Sequence, residues 1–142
     1  MPQLAFHFNA PGKVAYACKL LRKATASGAR VAVLAPPDLL GRLDVALWTF
    51  SPTDFIAHSR TPCSPAEAAR SPVLLTDDAQ TAQGFGILVN LGTSAVAGIE
   101  KFDRLIEVVT QDEADRQAAR IRWKHYTGLG YEITRHDLQV AP

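Results

Sequence analysis

Four short apolar runs constrain this chain most: Arg30-Val31-Ala32-Val33-Leu34-Ala35, Val73-Leu74-Leu75, Ile87-Leu88-Val89-Asn90-Leu91 and Leu105-Ile106-Glu107-Val108-Val109. They do not alternate cleanly between apolar and polar residues. Continuous runs suit strands buried on both faces, and such strands belong to parallel sheets with helices packed on either side. Each run is also too short to cross a bilayer.

The segments between them supply the helices. Leu4-Ala5-Phe6-His7-Phe8-Asn9 reads as a first strand, ended by Ala10-Pro11-Gly12. From Pro11 to Ser27 the apolar residues Val14, Ala17, Cys18 and Leu21 recur at helical spacing, and Gly28 suits a left-handed stop. With the run at Arg30–Ala35, this predicts a βαβ unit. Pro36-Pro37-Asp38 opens a second helix ending near Trp48, because proline is tolerated in a first turn. Phe55-Ile56-Ala57-His58 reads as a short strand, and the polar segment from Ser59 to Ser71 as a surface loop. Asp77 to Gly84 reads as an exposed connection. Asp112 to Thr127 reads as a long helix stopped by Gly128-Leu129-Gly130, and Tyr131 to Thr134 as a last strand. The pattern predicts one α/β domain over residues 1–142, with a mostly parallel sheet flanked by helices.

Charge narrows the function. Lys plus Arg number 15 and Asp plus Glu 14, giving a net charge of +1. A protein that coats nucleic acid or a membrane usually has a clear basic excess, so neither strong direct nucleic-acid binding nor membrane binding is expected. The N-terminus lacks the basic-then-apolar pattern of a signal peptide. Cys18 and Cys63 form no CxxC and have no histidine at ligand spacing, which leaves no recognisable zinc motif. The expected setting is the cytoplasm, with reduced thiols.

A sheet of this kind often binds nucleotides at the carboxyl ends of its strands. The turn after the first strand, Asn9-Ala10-Pro11-Gly12-Lys13, contains neither GxGxxG nor GxxxxGK[ST], and Pro11 removes one N–H donor. The topology is therefore nucleotide-binding-like without a phosphate loop, and no cofactor is expected. Asp77 and Asp78 follow a strand as Mg²⁺-holding acids do, but without the loop they read as strand-ending acids. His7, His58, His125 and His136 form no constellation with a nucleophile, and His7 reads as a core or sheet-face residue. A small enzyme or nucleotide binder built around His7, Asp77 and Asp78 stays open as the alternative.

The helix from Asp112 is the most informative segment. Acids open it and bases close it, which suits the helix dipole. At about 100° per residue, Ala114, Ala118, Ile121 and His125 share a stripe that the pattern assigns to the core. Arg116, Arg120, Trp123, Lys124 and Thr127 fall on the opposite face, with Arg122 outside their stripe and expected to matter less. Two readings of that face stand: a solvated charged surface, or a basic pocket with an apolar floor. The pocket would suit an acidic peptide ending in an apolar residue, with arginine pairing the carboxylate and the indole taking the side chain. Trp48 and Phe55, flanking a turn, are either core or an apolar edge covered by a partner.

Several short motifs recur in order: Phe6-His7-Phe8, Asp44-x-Ala46-Leu47-Trp48, Phe55-x-x-His58 and Arg120-x-Arg122-Trp123-Lys124-x-Tyr126 before Gly128 and Tyr131. Over nearly its whole length the chain resembles the chi subunit of the bacterial DNA polymerase III holoenzyme. The resemblance implies a non-catalytic accessory subunit with a nucleotide-binding-like fold. It implies two partners, the psi subunit of the clamp loader and the acidic C-terminal tail of single-stranded DNA-binding protein. It assigns Val109, Arg116, Arg120, Trp123 and Lys124 to the tail pocket and Trp48 and Phe55 to the psi edge. The chain departs from the family at Thr127, where another cation can stand, and in composition from Ser59 to Ala69.

Overall fold

A computed structural model describes residues 2–49 and 56–139. The apolar runs form the middle of a seven-stranded sheet. Its strands are β1 (Gln3–Ala10), β2 (Val31–Leu34), β3 (Ser59–Arg60), β4 (Val73–Thr76), β5 (Ile87–Asn90), β6 (Arg104–Thr110) and β7 (Ile133–Asp137). Their spatial order is β3-β4-β2-β5-β6-β1-β7, and every pairing is parallel. Helices α1 (Lys13–Ala26) and α2 (Pro37–Thr49) cover one face. Helices α3 (Pro65–Arg70) and α4 (Glu113–Gly128), with 3₁₀ turns at Ala79–Ala82 and Ile99–Lys101, cover the other.

The continuous apolar runs follow from this layering. On β2, Val31 and Val33 pack under α1 and α2 while Ala32 faces the opposite core. Successive side chains point to opposite faces, so a strand covered on both sides is apolar at most positions, and the buried exceptions Asn90 and Glu107 are hydrogen-bonded to each other. The fold is thus α/β with a helix-flanked parallel sheet, as the sequence predicts.

β1, α1 and β2 form the expected βαβ unit, strand, helix and parallel strand in one sheet, with β5 and β6 lying between the two strands. Three local expectations need correction. The expected strand at Phe55–His58 falls at Ser59–Arg60 instead, and Phe55 lies outside the described residues. The expected loop from Ser59 to Ser71 contains β3 and α3, the latter started by Ser64, whose hydroxyl accepts from the Glu67 N–H at 3.1 Å, and by Pro65. The last strand begins at Ile133 rather than Tyr131, because Gly130 at φ +94° and Tyr131 are used in ending α4. Tyr131 N–H donates to the Tyr126 carbonyl and Gly130 N–H to the Thr127 carbonyl, a Schellman stop.

Candidate functional site

The turn where the fold family would cradle a phosphate is occupied by the protein itself. Asn9 adopts φ +63°, a left-handed conformation that asparagine tolerates, and the β1–β6 register shifts there. Its amide donates to Asp137 at 2.9 Å, tying β1 to the end of β7. Lys13, in the first turn of α1, donates to the Leu91 carbonyl at 2.8 Å and to Asp115 at 3.0 Å. Asp115 also accepts from the N–H and hydroxyl of Thr110 at 2.8 and 2.9 Å. Burial alone would raise the Asp115 carboxyl; the Thr110 and Lys13 bonds outweigh it and hold the group below the usual aspartate value.

α4 sits one residue away from its expected rotation. Its buried positions are Asp115, Ala119, Arg122 and Tyr126, whereas Ala114 and His125 are exposed and Ile121 is 71% exposed. The apolar period misleads because charged residues fill two core positions, each with a partner. Arg122, only 1% exposed, donates from Nε to Glu107 at 3.0 Å and from a terminal nitrogen to the Thr93 carbonyl at 3.0 Å. Glu107 also accepts from the Tyr126 hydroxyl at 2.6 Å and the Asn90 amide at 3.0 Å. Burial pushes the Glu107 carboxyl up, while Arg122, Tyr126 and Asn90 pull it down. Arg122 is therefore a core residue, lying outside the stripe of Arg116, Arg120 and Lys124.

This rotation opens a groove of about 480 Å³ between α4 and the carboxyl ends of β1, β6 and β7. Val109, Arg116, Arg120, Trp123 and Lys124 all line it. Phe6, Phe8 and Ala119 complete an apolar floor. The half-buried Trp123 meets Phe6 edge to face, with ring centroids 5.1 Å apart. Arg116, Arg120 and Lys124 are exposed along the rim. Arg120 lies 3.4 Å from Glu113, an exposed pair that holds it weakly. Arg135 adds a fourth cation from β7, its guanidinium 5.2 Å from the Phe8 ring centre. Sequence reading missed Arg135, because its place depends on the β1–β7 register that sets it beside Phe6. Thr127 does not line the groove. Chemically, the groove offers cations over an aromatic and aliphatic floor, with no carboxylate among its lining residues.

The other candidate residues lie elsewhere. Trp48, on α2, is 63% exposed, with its ring 5.7 Å from that of His58. His58 is held between Asp44 at 2.6 Å and the Ile56 carbonyl at 2.8 Å. His7 is buried on β1 against the Tyr16 hydroxyl. Asp78 caps the turn at Ala79–Ala82, accepting from Gln80 N–H at 2.9 Å. β2, β5 and β6 separate the Asp77–Asp78 turn, which follows β4, from His7 on β1. At about 4.8 Å per strand that is roughly 19 Å, so these residues do not form one site. No group of three or more histidine, cysteine or acidic side chains with metal-binding geometry occurs among the described residues. No helix among them is long and apolar enough to cross a membrane.

The fold resembles that of solved structures at low sequence identity. The C-terminal domain of S. cerevisiae Dbp5 aligns with a TM-score of 0.62 at 16% identity, covering 96% of this chain and 90% of that one. A further structure of the C-terminal domain of the DEAD-box protein Dbp5 gives 0.60 at 15%, covering 99% and 92%. At such identity the likeness speaks for the fold alone. In sequence, the chain is 33% identical over 123 residues to the DNA polymerase III subunit chi of Pseudomonas aeruginosa, covering 86% of this chain and 84% of that protein. Residues 1–134 match the family model described as DNA polymerase III chi subunit, HolC. By a match that runs through β1, the α4 groove and the start of β7, this chain belongs to the DNA polymerase III chi subunit family.

Proposed function

We propose that this chain is an adaptor that binds the C-terminal tail of single-stranded DNA-binding protein in the α4 groove and the psi subunit of the clamp loader along the Trp48 edge. As a chi subunit it is an accessory, not a catalytic, part of DNA polymerase III and serves DNA replication. The observation that carries the reading is the convergence of Arg116, Arg120, Lys124, Trp123 and Val109 on one groove. A tail that ends in an apolar residue presents its terminal carboxylate beside its last side chain. A guanidinium can form two charge-assisted hydrogen bonds to that carboxylate while the side chain packs on the indole. Phe55 belongs to the proposed psi edge by family resemblance. The expected setting is the cytoplasm.

Calorimetry with a synthetic tail peptide tests the groove. Losing one partner of a desolvated charge pair costs about 2–5 kcal/mol, roughly thirtyfold or more in affinity. Arg120→Ala is expected to bind the peptide at least that much more weakly, and a peptide lacking its last residues should not bind. Equal affinity for wild type and Arg120→Ala would remove the tail from this groove. An ATP or GTP titration should show no saturable binding, because Lys13 is already engaged by Asp115 and Leu91. Direct binding of a single-stranded oligonucleotide should be weaker than micromolar at physiological salt.

A further inference from the structure

The opposite face of the sheet holds a second uncompensated cationic surface. A cleft of about 530 Å³ opens between α1 and the strands β6, β1 and β7. Lys19, Lys23, Arg104 and His136 line it, and no lining residue is a carboxylate. Among the described residues none of these four forms an ion pair. In a chain whose 15 basic and 14 acidic residues nearly balance, this is local segregation of charge. The field reaches into the fold. Burial, then His136, Arg104 and Lys23, push the His7 imidazole down from the ordinary 6.5 to about 4. The His7 Nε2 is buried without a hydrogen-bond partner.

We propose that this cleft is a second docking site, independent of the α4 groove, for an acidic segment of a partner protein that also carries apolar side chains. The cationic rim selects the charge. The floor selects the rest: Leu20, Ile87, Val89 and Ile106 are aliphatic. Single-stranded nucleic acid would instead need free aromatic faces for its bases. Here Tyr16 and His7 are engaged with each other, hydroxyl to Nδ1, and the His136 ring packs on His7 with centroids 4.6 Å apart. β7 ends the sheet order beside the cleft, so its outer edge offers backbone N–H and C=O groups to an extended segment.

The test is a nuclear magnetic resonance titration of the full chain with a short synthetic peptide of alternating aspartate and leucine. Saturable shifts are expected at Lys23, Arg104 and His136, with the His7 imidazole titrating at higher pH as the bound anion offsets the cations. The pair Lys23→Glu and Arg104→Glu, both exposed and so compatible with folding, should weaken this binding roughly tenfold or more. Arg120→Ala, which tests the α4 groove, should leave it unchanged. The proposal fails if peptide shifts are confined to α4. It fails equally if an oligothymidylate shifts the cleft residues and the peptide does not, or if neither does.

Discussion

Lys13 and Asp115 meet at 3.0 Å where the first turns of α1 and α4 converge above the ends of β1, β5 and β6. Both side chains are largely buried, so each relies on the other. Lys13→Ala leaves a buried carboxylate without its cation and is expected to cost about 3–5 kcal/mol, the scale for breaking a buried pair. Because Asp115 titrates below its unfolded value in the folded protein, its contribution is present above pH ~4 and is lost as pH falls through the folded value. Urea denaturation of wild type and Lys13→Ala at pH 7 and pH 3 measures both effects; equal stabilities at pH 7 would contradict the first.

Arg122 and Arg120 separate fold from surface within one helix. Arg122→Ala strands the Glu107 carboxylate in the core without its cation and should cost about 3–5 kcal/mol, lowering Tm by roughly 10 °C or more. Arg120→Ala loses only an exposed pair and should stay within about 0.5 kcal/mol of wild type. Calorimetric melts of the two variants decide it, and a reversed order would put the rotation of α4 in error.

His7 should make the protein acid-sensitive. Its folded value of about 4 lies below the ordinary 6.5, so between those values the unfolded chain binds a proton that the folded chain refuses. Stability is therefore complete above pH ~6.5 and falls as pH drops toward 4, by about 3 kcal/mol. His7→Gln should flatten this part of the profile. A wild-type profile that stays level between pH 7 and 5 would speak against it.

Trp48 should behave as surface. At 63% exposure, its truncation to alanine is expected to change stability by less than about 1 kcal/mol, while weakening capture of psi in a pull-down. Unfolding of Trp48→Ala would instead make the ring a core residue.

The central strands were legible because burial on both faces leaves a signature that needs no knowledge of neighbours. Leu74 and Val89 read as strand residues from their runs alone. The rotation of α4 was not legible, since a pattern search assigns apolar residues to the core. Here Arg122 and Asp115 take core places and Ile121 takes solvent. Their partners, Glu107 and Lys13, lie 15 and 102 residues away, and only the folded chain brings them together. The cationic groove residues were still found, because Arg116, Arg120, Trp123 and Lys124 cluster within nine positions of one helix. Arg135 was missed, being placed by strand register.

The position of β1 between β6 and β7 sets the order in which the chain can mature. Gln3–Ala10 is made early, yet its sheet partners are Arg104–Thr110 and Ile133–Asp137. Such pairing is non-local, and closing it is slow compared with forming the helices. A nascent chain therefore keeps Phe6 and Phe8 exposed until its last third has been synthesised. Both the α4 groove and the α1 cleft are assembled in that final step, so a chain arrested before β7 carries neither binding surface in finished form.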